Sequence, residues 1–313
     1  MTTQRMIRLA HYSDIHMTIR PRLEGWALKR LAGGMNYYVG GRRRRFRDVE
    51  SRIAALLDDV DRQHVDHALC TGDVTSMSYV EEFERCAALY GDRLAHPARH
   101  TIIPGNHDRY TEAAQKERRF EAALGQLSAP GGRFPYRKSL GFGVTLVLLD
   151  AARPTSLIDA SGYLGDEQRH RLAAMLADPD LKHEFVIVAL HYGLLRSTGE
   201  PDRPLHGLRD WAELLQIVDD PRSHVDLILH GHLHRSFQVV TPKMHRPIFC
   251  AGSATDLGHE GAETRAAAYA GHAAAYAGQA GYAGYNVYTI DVASRRATVE
   301  RRSWDRDAEA YVG

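Results

Sequence analysis

Cysteine is scarce in this chain. Three occur in 313 residues, Cys70, Cys86 and Cys250, far apart and with no C-x-x-C pair. So sparse and odd a count argues against a disulfide framework and for a reducing compartment, with each thiol read as a small buried hydrophobe. Long apolar runs are missing too: the strongest, VTLVLLDAA (144–152) and FVIVAL (185–190), are far too short to cross a bilayer as helices. The start, MTTQRMIRLAHYS, passes from a short basic stretch straight into an apolar run, without an h-region or an A-x-A pattern. These absences predict a cytoplasmic protein, with peripheral attachment to the inner membrane face left open. Charge of one sign is lacking as well. A formal net charge of +1 provides no global field to recruit nucleic acid, so no nucleic-acid partner is expected.

What remains is an ordinary globular composition, 44% hydrophobic and 25% charged with a mean hydropathy of −0.39. Short apolar runs alternate with helical stretches. MIRLAHYS (6–13), VDHALCT (65–71), RHTIIP (99–104), GVTLVLLD (143–150), EFVIVALH (184–191) and VDLILH (225–230) read as buried strands. Residues 48–64, 79–94, 166–178 and 208–220 carry apolar side chains at helical spacing. PIFCAGS, YNVYTID and ATVERRSW read as consecutive strands near the end. Strand–helix alternation with such a tail predicts an α/β fold with mixed sheets, in one domain spanning 1–313.

Two segments break the pattern. Residues 17–47 hold nine Arg or Lys against one Glu, with Trp26, Tyr37, Tyr38 and Phe46 interleaved, and end in the run Arg42 to Arg45. A solvated face and a cap that meets an anionic membrane surface or a nucleotide both fit this composition. Residues 262–284 repeat AYAG at 268–271 and 275–278, then GYAG at 281–284, and read as an insertion of low complexity between two strands.

The chemistry sits at the strand ends. Run 6–13 leads into Ser13-Asp14-Ile15-His16, run 65–71 into Gly72-Asp73, and run 99–104 into Gly105-Asn106-His107-Asp108. Run 184–191 ends on His191, and run 225–230 leads into Gly231-His232-Leu233-His234. Ligand sites in α/β sheets form beyond the carboxyl ends of strands, so these residues can converge. In extended backbone, positions i and i+2 point the same way, which pairs Asp14 with His16 and His232 with His234. Asp14, His16, Asp73, Asn106, His191, His232 and His234 exceed what one ion needs and suit two ions sharing a carboxylate. Such a pair clamps the oxygens of an in-line displacement at phosphorus and lowers the pKa of a bound water towards about 7. Mixed imidazole and carboxylate ligation suits Mn, Fe and Zn alike. His230 reads as a packed histidine, and Ser253 in CAGSATD as part of a turn.

The blocks D-x-H, G-D, G-N-H-[DE], H and G-H-x-H, all present in order from 14 to 234, resemble those of the calcineurin-like metallophosphoesterase superfamily. The resemblance implies a four-layer α/β/β/α sandwich with two mixed sheets. It implies Asp14, His16 and His234 as ligands of a first metal, Asn106, His191 and His232 of a second, and Asp73 as the bridge. It also implies catalytic roles for His107, near the leaving group, and for Asp108, orienting His107. The words SDIH, GNHD and HGHLH are most similar to the class III cyclic-nucleotide phosphodiesterase branch. The implied activity is cleavage of a phosphodiester or pyrophosphate, such as a cyclic nucleotide, by metal-bridged hydroxide. The basic segment is similar to one in lipid-handling relatives that cleave UDP-2,3-diacylglucosamine, although the best-known of those carry arginine after the Gly-Asn. A non-catalytic binding module on the same fold is the remaining alternative. The oligomeric state stays open.

Overall fold

A computed structural model describes residues 6–20, 48–156, 158–257 and 283–313. Nearly all of the basic segment 17–47 and of the low-complexity segment 262–284 therefore lies outside the described residues. The chain runs β1 (Ile7–Tyr12), α1 (Val49–Arg62), β2 (His67–Cys70), α2 (Val80–Tyr90), β3 (His100–Ile102), α3 (Glu112–Lys116) and α4 (Arg119–Leu124). It continues through β4 (Tyr136–Gly141), β5 (Val144–Leu148), α5 (Asp166–Leu176), β6 (Phe185–Ala189), α6 (Trp211–Val218) and β7 (Leu227–His230). The last strands are β8 (Ser236–Val240), β9 (Pro247–Ala251), β10 (Gly284–Asp291), β11 (Arg296–Asp305) and β12 (Ala310–Val312).

Two mixed six-stranded sheets result, ordered β12-β11-β10-β1-β2-β3 and β4-β5-β6-β7-β9-β8. Strands β1, β2 and β3 are mutually parallel, as are β5, β6, β7 and β9. Alternation along each strand decides the layers, because successive side chains point to opposite faces. Leu9, Leu69, Leu146, Ile187 and Leu229 share one buried cluster drawn from both sheets, so these faces meet. Ala10, Ala68 and Cys70 turn the other way, onto Ile53, Leu56 and Val60 of α1 and Phe83 of α2. Val147, Val186, Val188 and Ile228 likewise pack on Leu172 and Leu176 of α5 and Leu214 of α6. The order is helix, sheet, sheet, helix, as the resemblance implied. The three cysteines are buried and unpaired with one another.

Strands β4, β8 and β12, which lie at sheet edges, have no counterpart in the apolar runs. Their residues are mostly half-exposed and so lack the run that marks a buried strand, whereas β3, also at an edge, is buried throughout and follows the run 99–104.

His67, at the start of β2, is buried between the Ala98 carbonyl (Nδ1 to O 2.9 Å) and the Thr101 hydroxyl (Nε2 to Oγ1 2.8 Å). Burial, helped by nearby Lys138, pushes it down to about 3 from the usual 6.5. Between those values the unfolded chain binds a proton that the folded chain refuses, so stability falls as pH falls below 6.5. The slope from this residue reaches up to about 1.4 kcal/mol per pH unit. Urea midpoints between pH 7 and 4.5 are expected to fall less steeply for His67→Gln than for the parent; parallel slopes would contradict this.

Candidate metal centre

The parallel strands of both sheets end at the same edge, and the seven candidate donors stand in the loops just beyond them. Asp14 and His16 follow β1, Asp73 follows β2, Asn106 follows β3, His191 follows β6, and His232 and His234 follow β7. Backbone and side-chain ties lock the edges together: His232 N donates to Asp14 Oδ2 at 2.9 Å, and Ser253 Oγ donates to the Asp14 carbonyl at 2.6 Å. Ser253, after β9, forms an isolated parallel bridge with Ala283 where a turn was expected, and its hydroxyl braces Asp14.

The backbone at the donors is not extended. Asp14, His16, Asp73, His232 and His234 have φ of 54°, 45°, 55°, 69° and 54°. Each such left-handed residue costs about 1–3 kcal/mol and persists where surrounding structure over-determines it. The i, i+2 pairs therefore converge through repeated left-handed turns, which corrects the extended geometry expected from sequence. Gly231 is required by close approach: a Cβ there would stand 1.8 Å from Ser13 Oγ and 2.5 Å from Asp14 Oδ2.

All seven donors come together. His16 Nε2 lies 2.9 Å from His234 Nε2 and 3.7 Å from both Asp14 Oδ1 and Asp73 Oδ2, while His234 Nε2 lies 3.2 Å from Asp14 Oδ1. On the other side, His191 Nε2 lies 3.4 Å from Asp73 Oδ2 and 3.0 Å from Asn106 Oδ1, which is also 3.0 Å from His232 Nδ1. Two groups of donors thus meet at Asp73, whose Oδ2 faces both His16 and His191.

The far nitrogen of each ring is held by an acceptor. His16 Nδ1 donates to Thr75 O (3.3 Å), His191 Nδ1 to Thr71 O (2.7 Å), His232 Nε2 to His206 O (2.8 Å), and His234 Nδ1 to Asp256 Oδ2 (3.1 Å). A carbonyl can only accept, so in the neutral ring the inward nitrogen presents a lone pair. Asp14 Oδ1 is buried without a hydrogen-bond donor. Lone pairs 2.9 Å apart and a buried carboxylate oxygen lacking a donor repel one another unless positive charge lies between them. The donor set fits divalent cations, and oriented outer nitrogens are what metal-binding histidines require.

Electrostatics point the same way. Burial would raise Asp14 and Asp73, yet the histidines around them, His234 first for Asp14 and His191 first for Asp73, hold both carboxyls well below the usual range. Burial would lower His191, yet Asp73 beside it pushes it up to about 9. The two carboxylates draw positive charge into a buried site, and a cation that binds there displaces a proton.

His107 stands beside the first group. Its ring meets His16 edge-on at 4.9 Å between centroids and stacks on Tyr110 at 5.4 Å, and its Nδ1 lies 2.6 Å from Ser76 O. Its backbone N–H donates to Asp73 Oδ1 at 2.8 Å. Asp108 does not orient the His107 ring, which is a correction. Its carboxylate accepts from Val74 N (3.2 Å), Thr75 N (2.9 Å), Gly105 N (2.9 Å) and Thr75 Oγ1 (3.0 Å), tying the Asp73 loop to the Asn106 loop. Burial, with Asp73 nearby, raises it to about 7. Three backbone donors at strand ends satisfied this carboxylate before the ring could. His230 is buried, with Nδ1 2.9 Å from Gly231 O and its ring against Phe237.

Sequence reasoning missed Asp256, behind His234, and the Asp202–His206 pair, behind His232. Asp256 lies in the quoted turn CAGSATD, and a carboxylate there was the available signal. His206 acts on His232 through its carbonyl, which no residue type announces.

Structural comparison agrees with the architecture. A dimetal phosphatase from Danio rerio superposes with a TM-score of 0.63 at 14% identity, covering 95% of this chain and 96% of that one. Purple acid phosphatase PPD1 from yellow lupin (Lupinus luteus) seeds gives a TM-score of 0.59 at 12% identity; 96% of this chain aligns with 52% of that one. Comparison with curated proteins finds no match. The model of the calcineurin-like phosphoesterases matches residues 7–236, a span that opens with β1 and takes in all seven donors. On that match over most of its length, this chain belongs to the calcineurin-like phosphoesterase family.

Proposed function

We propose that this phosphoesterase cleaves a phosphodiester or pyrophosphate bond, with Asp14, His16 and His234 holding one divalent cation, Asn106, His191 and His232 a second, and Asp73 both. The family uses two divalent metal ions, and the observation that carries the assignment is the convergence of these seven donors with their outer nitrogens already engaged. Two cations, when bound, supply positive charge to the phosphoryl oxygens and lower the pKa of a water towards about 7. Manganese, iron and zinc all suit the donor set.

The chain's own residues do the rest. Asp73 receives the His107 amide and so fixes that residue against the first donor group. With Nδ1–H donating to Ser76 O, the protonated His107 ring gives its Nε2 proton to the leaving oxygen and is left neutral. Asp108 keeps the Asp73 and Asn106 loops in register, a positioning role. The substrate is a small phosphodiester or nucleotide-containing compound, and the site works on the cytoplasmic side. No helix among the described residues is long and apolar enough to cross a membrane.

The test is a pair of substrates with manganese-loaded protein. Turnover of bis(p-nitrophenyl) phosphate is expected to exceed that of p-nitrophenyl phosphate; the reverse order would make the enzyme a monoesterase.

A further inference from the structure

The loop that leaves β5 borders the second donor group. Leu148 pairs with Ala189 and Leu149 N donates to Ala189 O at 2.9 Å, so β5 and β6 deliver Asp150 and His191 side by side. From the other sheet, Arg109 of the Asn106 loop reaches across: its Nη2 donates to Asp150 Oδ2 at 2.9 Å and to Glu121 Oε1 at 2.8 Å. Asp150 N donates to Gln168 Oε1 at 3.0 Å, and Ala152 N closes the turn on Asp150 Oδ1 at 2.8 Å. This fixed turn presents Arg153.

A chain of contacts leads from Arg153 back to the donors. Its guanidinium carbon lies 4.9 Å from the centroid of the Tyr163 ring, and Tyr163 N donates to Ala151 O at 3.0 Å. The residue before it, Gly162, lies against Tyr192, where a Cβ would stand 2.5 Å from the ring. The Tyr192 ring in turn lies 4.6 Å from that of His232 and 5.4 Å from that of His191. Burial pushes the Tyr192 hydroxyl well above its usual value, the Asp73 and Asp150 carboxylates push the same way, and the Arg153 charge opposes them. Arg153 and the bridging Asp73 thus act on one hydroxyl.

What Arg153 lacks is an anion. Its neighbours are committed: Arg109 to Asp150 and Glu121, Arg169 to Asp210 at 2.9 Å, and Arg209 to Asp159 at 2.6 Å. Arg153 is half-buried, and among the described residues its guanidinium meets no carboxylate and makes no hydrogen bond. A guanidinium stacked on an aromatic ring keeps its N–H groups in its own plane, in the fork that holds a phosphate bidentately. A cation held in this way beside a centre that works on phosphoryl groups is placed for a second anionic group.

We infer that Arg153 is a specificity-determining residue that receives a second phosphate group of the substrate, beyond the phosphorus under attack. The inference rests on the proposed reading, cleavage of a phosphodiester or pyrophosphate, and narrows it to substrates that carry that second phosphate. Two sources share the chemistry: the flanking phosphate of a pyrophosphate, and a terminal phosphate on the far arm of a diester.

The test uses full-length, manganese-loaded protein, with p-nitrophenyl phosphate as the monoester and two matched pairs of substrates. One pair is bis(p-nitrophenyl) phosphate and bis(p-nitrophenyl) pyrophosphate; the other is thymidine 5′-(p-nitrophenyl phosphate) without and with a 3′-phosphate. Arg153→Ala is expected to lower kcat/KM about tenfold to a hundredfold on the pyrophosphate or the 3′-phosphate, mainly through KM. The matched compound without the second phosphate keeps the parent's rate, and Arg153→Lys, which retains the charge, recovers part of the loss. Whichever phosphate-bearing compound responds identifies the source. Melting temperature and metal content, measured alongside, show that each variant is folded and loaded. Equal losses within each pair, or no loss on either phosphate-bearing compound, would overturn the role of Arg153 while leaving the proposed reaction in place. Turnover of p-nitrophenyl phosphate alone by the loaded parent would overturn both.

Discussion

Asp73→Asn is expected to leave the protein folded and to abolish turnover, by about 10³-fold or more, with metal content falling from near two ions per chain to one or none. The amide matches the carboxylate in shape and still accepts the His107 N–H through its oxygen, so packing is preserved. What it removes is the charge that faces His16 at 3.7 Å and His191 at 3.4 Å, between the two donor groups. Without that charge, two cations a few ångströms apart repel each other with no shared anion between them, and the lowered water pKa is lost with them. Elemental analysis of the purified variant beside steady-state kinetics separates this from general damage. A variant that retains two ions and full turnover would show that Asp73 is not the bridge.

His107→Ala is expected to separate what Asp73→Asn joins. The ring meets His16 edge-on and its Nδ1 is committed to Ser76 O; it stands close to His16 and Asp73 but outside the seven assigned donors, so both groups stay complete when it is removed. Metal content stays near two while turnover falls about 10²–10⁴-fold, the range for a lost general acid. The loss is larger for an alkoxide leaving group than for an activated phenolate, which departs without a proton. A rate on the poor leaving group equal to the parent's would remove His107 from the chemistry. Loss of metal in step with activity would make it a structural residue.

The two results together bear on how much of this centre was legible in the sequence. The strand-end words were, because strand and motif coincide: an apolar run ending in Asp14, Asp73 or His191 says both where the chain goes and what it delivers. The buried strands were legible for the same reason, the edge strand β3 among them, whereas β4, β8 and β12 were not, since these three are mostly half-exposed and their residues follow no apolar run. The left-handed backbone at five of the seven donors was not read from sequence: aspartate and histidine adopt it more often than most residues, yet it is still the minority conformation for each, so residue type alone does not announce it. Asp108 shows the limit of a motif. Its type and position suggested a partner for His107, but the amides of Val74, Thr75 and Gly105 lie within reach and take both oxygens. Asp256 and His206 were missed because they meet the centre from segments 22 and 26 residues away from the histidines they hold.

Anomalous diffraction from a crystal of the manganese-loaded protein tests the central claim most directly. Two peaks about 3.5–4 Å apart are expected, one among Asp14, His16 and His234, the other among Asn106, His191 and His232, with Asp73 against both. A single peak, or peaks away from these seven residues, would contradict the two-cation centre on which the chemistry depends.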